Sequence, residues 1–141
     1  MAETKAKVAL DLWDKLSKAY DNLRKSQAKY TSSHKLTAPQ FNVLEVLVAS
    51  GAVPLKRISE ELMVTGANIT CVVDNLEKEG LVKRVPSKED RRVIMAELTA
   101  KGKDKMSKIY PTYAKNMRDV TSVLTDAEQK QLTQTLEKLA Q

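Results

Sequence analysis

The sequence predicts a mainly α-helical fold that carries one small β-hairpin. Three observations lead there. Apolar residues recur at alternating steps of four and three over the first 30 residues and again after position 99. Three short segments, "TAPQ", "MVTG" and "TDAE", have the composition of helix starts. Two β-favouring runs, "LVKRV" and "VIMAEL", are separated only by a proline and a charged turn.

The elements follow in order. Between about Ala6 and Tyr30, the residues Leu12, Leu16, Ala19, Leu23, Ser26 and Tyr30 form a heptad-like stripe, with Trp13 and Tyr20 beside it. A helix this long needs a cover for its stripe, either from the same chain or from a second copy. Thr37 and Gln40 then have the spacing of a capping box, with a proline in the first turn. The helix they open is nearly all apolar (Phe41, Val43, Leu44, Val46, Leu47, Val48) and belongs at the centre of the core. "SGAVP" breaks it. Pro54 starts a short third helix whose inner face is Leu55, Ile58, Leu62 and Met63.

The tight connection "MVTG" leads to a fourth helix, with Thr65 as N-cap and Gly80 as C-terminal stop. Ile69, Val72, Val73 and Leu76 share its apolar face. The opposite face, Ala67, Cys71, Asp74 and Lys78 flanked by Asn68, Thr70 and Asn75, is mostly small and polar, so it can lie close to a grooved partner. The two β-runs, Leu81–Val85 and Val93–Leu98, pair as a hairpin with Lys88–Arg92 at its tip. Thr99 caps a long helix with Met106, Ile109, Tyr110, Tyr113, Met117 and Val120 on one stripe and Pro111 as an expected kink. The capping box Thr125–Glu128 opens the last helix, with Leu132, Leu136 and Leu139.

Composition narrows the function. The chain has 141 residues, 42% hydrophobic and 30% charged, with a formal net charge of +6. That is a globular composition whose positive balance suits nucleic acid or another anionic surface. No stretch approaches the roughly 20 apolar residues of a membrane span, so no membrane partner is expected. A single cysteine, Cys71, allows no internal disulfide and points to the cytoplasm. One histidine, His34, and that one cysteine make no metal site, and no cofactor is implied. Glu60–Glu61 and Glu89–Asp90 read as solvated charges, and no nucleophile–base motif is present, so the chain is not expected to be an enzyme.

Two short helices joined by a tight turn and followed by a basic-tipped hairpin have the layout of a winged helix-turn-helix. The fourth helix can enter a DNA major groove N-terminus first, and the hairpin, the wing, can place arginine in the adjacent minor groove.

The segments "LTAPQFNVL", "ISEELMVTGANIT", "VVDNLEKEGLVKR" and "DRRVIMAELTAKG" resemble the MarR-type (multiple antibiotic resistance regulator) transcriptional regulators over about Leu36–Gly102. Asp90, Arg92, Leu98, Thr99 and Gly102 match that family's wing pattern. The resemblance implies Arg92 as the minor-groove arginine, Asp90 as the carboxylate orienting it, and Arg91 as a second basic contact. It places Thr65, Gly66, Ala67, Asn68, Thr70 and Cys71 against DNA, with Lys56 and Arg84 on phosphates. Many members carry arginine where this chain has Cys71 and Asn75, so a larger share of recognition is expected from the wing and DNA shape.

The same resemblance implies residues 1–34 and 101–141 as a dimerisation region around a DNA-binding lobe at 35–100. The partners it implies are double-stranded DNA and a second copy of the chain. A small phenolic or aromatic-acid effector is implied beside Trp13, Tyr20 and Tyr113, with Tyr30 and Tyr110 near. The outcome implied is promoter repression at a pseudo-palindromic operator. The alternative is a thiol-based switch at Cys71; the family's hydroperoxide sensors use a first-helix cysteine, which this chain lacks.

Overall fold

A computed structural model describes all residues, Met1–Gln141, as six helices and one three-stranded sheet. In order these are α1 (Ala2–Ser33), α2 (Ala38–Ser50), β1 (Val53–Pro54), α3 (Leu55–Leu62), α4 (Gly66–Lys78), β2 (Val82–Pro86), β3 (Ile94–Leu98), α5 (Ala100–Thr121) and α6 (Asp126–Leu139). The chain divides into two compact units. One is the continuous lobe Ala28–Pro111; the other joins Met1–Gln27 to Thr112–Gln141.

The lobe holds the whole core. Phe41, Val43, Leu44 and Leu47 of α2 pack with Ile58 of α3, Ile69, Val73 and Leu76 of α4, Val82 and Ala96 of the hairpin, and Met106 and Ile109 of α5, all buried. The helix starts behave as their sequences predict. The Thr37 hydroxyl accepts from the Gln40 amide at 3.2 Å, and the Gln40 side chain accepts from the Thr37 amide at 2.9 Å. Thr65 accepts from the Asn68 amide at 3.1 Å. Thr125 and Glu128 close the second capping box at 3.1 and 3.0 Å.

Several expectations are corrected. The hairpin is joined by a third strand: Val53 and Pro54, read as a helix break, pair antiparallel with Ala96 and Met95, giving the order β1-β3-β2. Two residues carry too little periodicity to show as a strand. Met63 is no inner-face residue; it is 90% exposed with φ 57°, because it ends α3 in the left-handed conformation that turns the chain towards α4. Val48 is exposed at the end of α2. The first helix runs on to Ser33, where Thr31 is fully buried and Lys35 adopts a positive φ to end the turn. Tyr30 packs against His34 at a tilt of 54° with ring centroids 5.0 Å apart and donates its hydroxyl to the Ile109 carbonyl. α5 continues through Pro111 as one element, and the two units divide at that residue.

The start of α5 is locked to the hairpin base. The Thr99 hydroxyl donates to the Gly80 carbonyl (2.6 Å) and accepts from the Gly102 amide (3.0 Å), while the Thr99 amide donates to the Leu81 carbonyl. A Cβ on Gly102 would overlap that same Leu81 carbonyl. Gly102→Ala should therefore destabilise the lobe by about 2 to 4 kcal/mol. Gly66→Ala, whose added methyl meets nothing, should change stability by no more than about 0.5 kcal/mol. Urea denaturation of the two variants checks the contrast.

Candidate nucleic-acid interface

The helix-turn-helix is built from α3 and α4, and α4 offers its N-terminus to solvent. Thr65, Gly66, Ala67, Asn68, Thr70 and Cys71 are all exposed. Thr65 spends its hydroxyl on the Asn68 amide, leaving the amides of the first turn facing outward. Gly66 adds no side chain there, so an anion or a backbone can approach closely. Lys56, in the first turn of α3, is exposed as well.

The wing is an ordered turn. The Ser87 amide donates to the Val93 carbonyl, the Val93 amide to the Asp90 carbonyl, and the Ser87 hydroxyl accepts from the amides of Glu89 and Asp90. At the tip, Asp90 Oδ1 accepts from both the amide and Nε of Arg92 at 3.1 Å, and Oδ2 accepts from Nη2 at 3.2 Å. Arg92 is thus aimed while its side chain stays 91% exposed. Lys88 and Arg91 are exposed beside it, with no ion pair in the chain.

Arg84 has a different environment from the one its sequence position suggests. On β2 it shares a face with Val82, two residues earlier, and so turns towards α4. Its guanidinium lies 2.7 Å from Asp74 Oδ1 and 2.8 Å from Glu77 Oε1, and Nη2 also donates to the Thr70 carbonyl at 3.4 Å. Glu77 Oε2 accepts from the Arg84 amide as well, satisfying a donor on the outer edge of β2. In the sequence Asp74 was legible only as a polar residue of an outward face, and Glu77 carried no assignment. The signal for their role was the two-residue period linking Val82 to Arg84. Lys83, on the other face, pairs across the hairpin with Glu97 at 3.2 Å.

Trp13 and Tyr20 lie exposed on α1, at 67% and 59%. In that same unit Gln27 donates to the Tyr113 hydroxyl at 3.2 Å. The lobe has a cavity of its own, of about 530 Å³, lined mainly by Leu47, Val48, Leu98, Met106 and Tyr110, with Lys103 at its wall. No group of three or more His, Cys, Asp or Glu residues could hold a metal ion, and no helix is long and apolar enough to cross a membrane.

Comparison with known proteins agrees with this layout. The MarR family model matches residues 36–94. The transcriptional regulator MhqR of Bacillus subtilis is 34% identical over 93% of this chain and 90% of its own length. The chain belongs to the MarR family. The MarR family is one of DNA-binding transcriptional regulators, a non-enzyme family. Its fold extends to solved MarR-family structures. A mutant MarR from E. coli complexed with operator DNA superposes with a TM-score of 0.85 at 23% identity, covering 93% of this chain and 94% of that one. Bordetella bronchiseptica BpsR, whose DNA binding is regulated by 6-hydroxynicotinic acid, gives 0.84 at 24% identity, covering 93% and 99%.

Two measurements follow from the geometry. Glu77→Gln removes one charge from the Arg84 clamp and should lower lobe stability by about 1 kcal/mol in urea denaturation, the scale of partly exposed ion pairs in a network. The hydrogen bonds from the Arg92 side chain, then its amide, hold the Asp90 carboxyl below 3.8. A carboxylate so depressed keeps its bonds above the ordinary carboxylate range and loses them only as pH falls through its lowered value. NMR signals of Arg92 Nε–H should therefore stay flat from neutral pH down through the ordinary carboxylate range and shift only below it.

Proposed function

We propose that the protein is a homodimeric repressor that binds a pseudo-palindromic operator in double-stranded DNA. In this reading the first two turns of α4 enter the major groove. The wing carries Arg92 into the flanking minor groove, where the phosphates concentrate negative potential. Lys56 and Arg91 neutralise phosphates. Arg84 acts from behind, holding α4 against β2. The observation that carries the reading is Arg92, 91% exposed yet held by three bonds that its amide, Nε and Nη2 donate to Asp90, at the tip of a wing clamped to α4.

Dimerisation is supported by burial. No residue of Met1–Gln27 or Thr112–Gln141 is buried, and Val8, Leu10, Leu12 and Trp13 of α1 with Val123, Leu132 and Leu139 of α6 are exposed. Helices that bury nothing have no tertiary support of their own, and a second copy supplies it. Two copies related by a twofold axis place two α4 helices about one DNA turn apart, and occupancy of a promoter by the pair blocks transcription in the cytoplasm.

Release by a small aromatic acid is supported by the cavity of about 530 Å³, a size suited to such ligands, with apolar walls and one cation, Lys103, for a carboxylate. In this reading the effector lies at the α2–α5 wall, whereas the family resemblance pointed to Trp13, Tyr20 and Tyr113. The regulation of BpsR by 6-hydroxynicotinic acid is consistent with an effector of that class.

Titrating the native chain and Arg92→Ala on duplex DNA across a salt series tests the proposal. The native protein should lose affinity steeply with salt. Arg92→Ala should bind about ten- to a hundredfold more weakly, with a log–log salt slope shallower by about 1. Equal binding by both, or binding indifferent to salt, would reject it.

A further inference from the structure

We infer that α4 reads A·T base pairs, so that the major-groove tract of each half-site is poor in G·C. This rests on the DNA-binding reading above and specifies the ligand of that same surface. The argument is an inventory of the groups α4 can present. Guanine is recognised in the major groove by paired donors, supplied by Arg or Lys to O6 and N7. α4 contains no arginine, and its single lysine, Lys78, is its last residue, far from the N-terminal turns that meet base edges.

The guanidinium bonded to the helix is that of Arg84, and it is already engaged. Both terminal nitrogens are committed, to Asp74, Glu77 and the Thr70 carbonyl, and the side chain is only 24% exposed. Turning it to a guanine would break two ion pairs and leave two carboxylates uncompensated beside DNA phosphates. The same clamp removes the cytosine reader: Asp74, the acidic residue near the centre of the outward face, already accepts from Arg84 at 2.7 Å.

What remains is an adenine and thymine set. Asn68 is exposed, and the capping bond to Thr65 uses its backbone amide rather than its side chain. A carboxamide matches the acceptor and donor pair of adenine at N7 and N6. Ala67 and Cys71, one turn apart at the centre of the face, offer small apolar surfaces to thymine methyl groups, and Thr70 adds a methyl beside its hydroxyl. Asn75, also exposed, lies seven residues beyond Asn68 and about 10 Å further along the helix, where it meets a different base pair. The wing adds a second, independent preference of the same sign. An arginine in the minor groove favours the narrow groove of A-tracts, and Arg92 is the side chain aimed there.

Selection from random duplex DNA with the full chain, followed by sequencing, tests this. The expected product is a palindrome whose α4 tracts are A·T, with A·T flanks under the wings. Asn68→Ala should lose about tenfold of the discrimination for adenine at one position of each half-site and leave the others unchanged. Arg84→Ala should weaken binding without changing the enriched sequence, since the residue positions the helix and reads no base. Invariant G·C pairs in the α4 tracts, lost on Arg84→Ala, would overturn this inference and leave the DNA-binding reading standing. Failure to enrich any sequence would overturn both.

Discussion

The wing and the recognition helix keep one geometry because the chain is pinned at Gly80–Leu81. α4 ends there with the Leu81 amide on the Leu76 carbonyl, and Gly80 takes a φ of 76° to turn the chain into the hairpin. The hairpin returns to the same point. Thr99 bonds both the Gly80 and Leu81 carbonyls, and Lys101 reaches back to the Glu79 carbonyl at 2.9 Å. Gly102 lets α5 pass against the Leu81 carbonyl with no side chain between. Four backbone carbonyls and amides at the end of one helix thus fix both ends of the wing. A hairpin with only one fixed end would carry Arg92 on a lever, and its aim would be lost over the length of two strands.

Electrostatics extends the same constraint. Three acidic residues beside the DNA-facing surface are each engaged by a particular arginine: Asp74 and Glu77 by Arg84, Asp90 by Arg92. Arg84 is spent on holding the helix, while Arg92 stays in water with its direction set. The positive potential offered to a polyanion therefore comes from the tip of the wing and from Lys56. The helix between them contributes mainly shape, amides and methyl groups. That arrangement suits recognition that depends on close fit in one groove and on charge in the other.

Much of this was legible in the sequence, and the rest was hidden for identifiable reasons. The three capping signals at Thr37, Thr65 and Thr125 are local, three-residue features, and each forms the bond its spacing implies. The charged stretch Lys88–Arg92 reads as a wing because β-favouring runs flank it, and the Asp90–Arg92 contact spans only two residues. What sequence could not show depends on long-range pairing. β1 is two residues long and exists because Ala96 and Met95 lie beside it. Arg84 looks like any basic strand residue until Asp74 and Glu77 are brought round by the turn at Gly80. Met63 fits a helical apolar stripe, yet the left-handed turn takes it out of the core. The family resemblance implied Trp13 and Tyr20 as part of a ligand wall, and both lie exposed on α1.

The most direct test of the account is a hydroxyl-radical footprint of the full chain on a bound duplex, read on both strands. Two wings and two α4 helices from a twofold dimer predict four protected patches, symmetric about a centre. Two flank the major-groove tracts, about ten base pairs apart, and two lie in the outer minor grooves. Arg92→Ala should erase the outer pair and leave the inner pair. A single asymmetric patch, or outer protection that survives the substitution, would contradict the claim that the oriented arginine of the wing is what this fold holds in place.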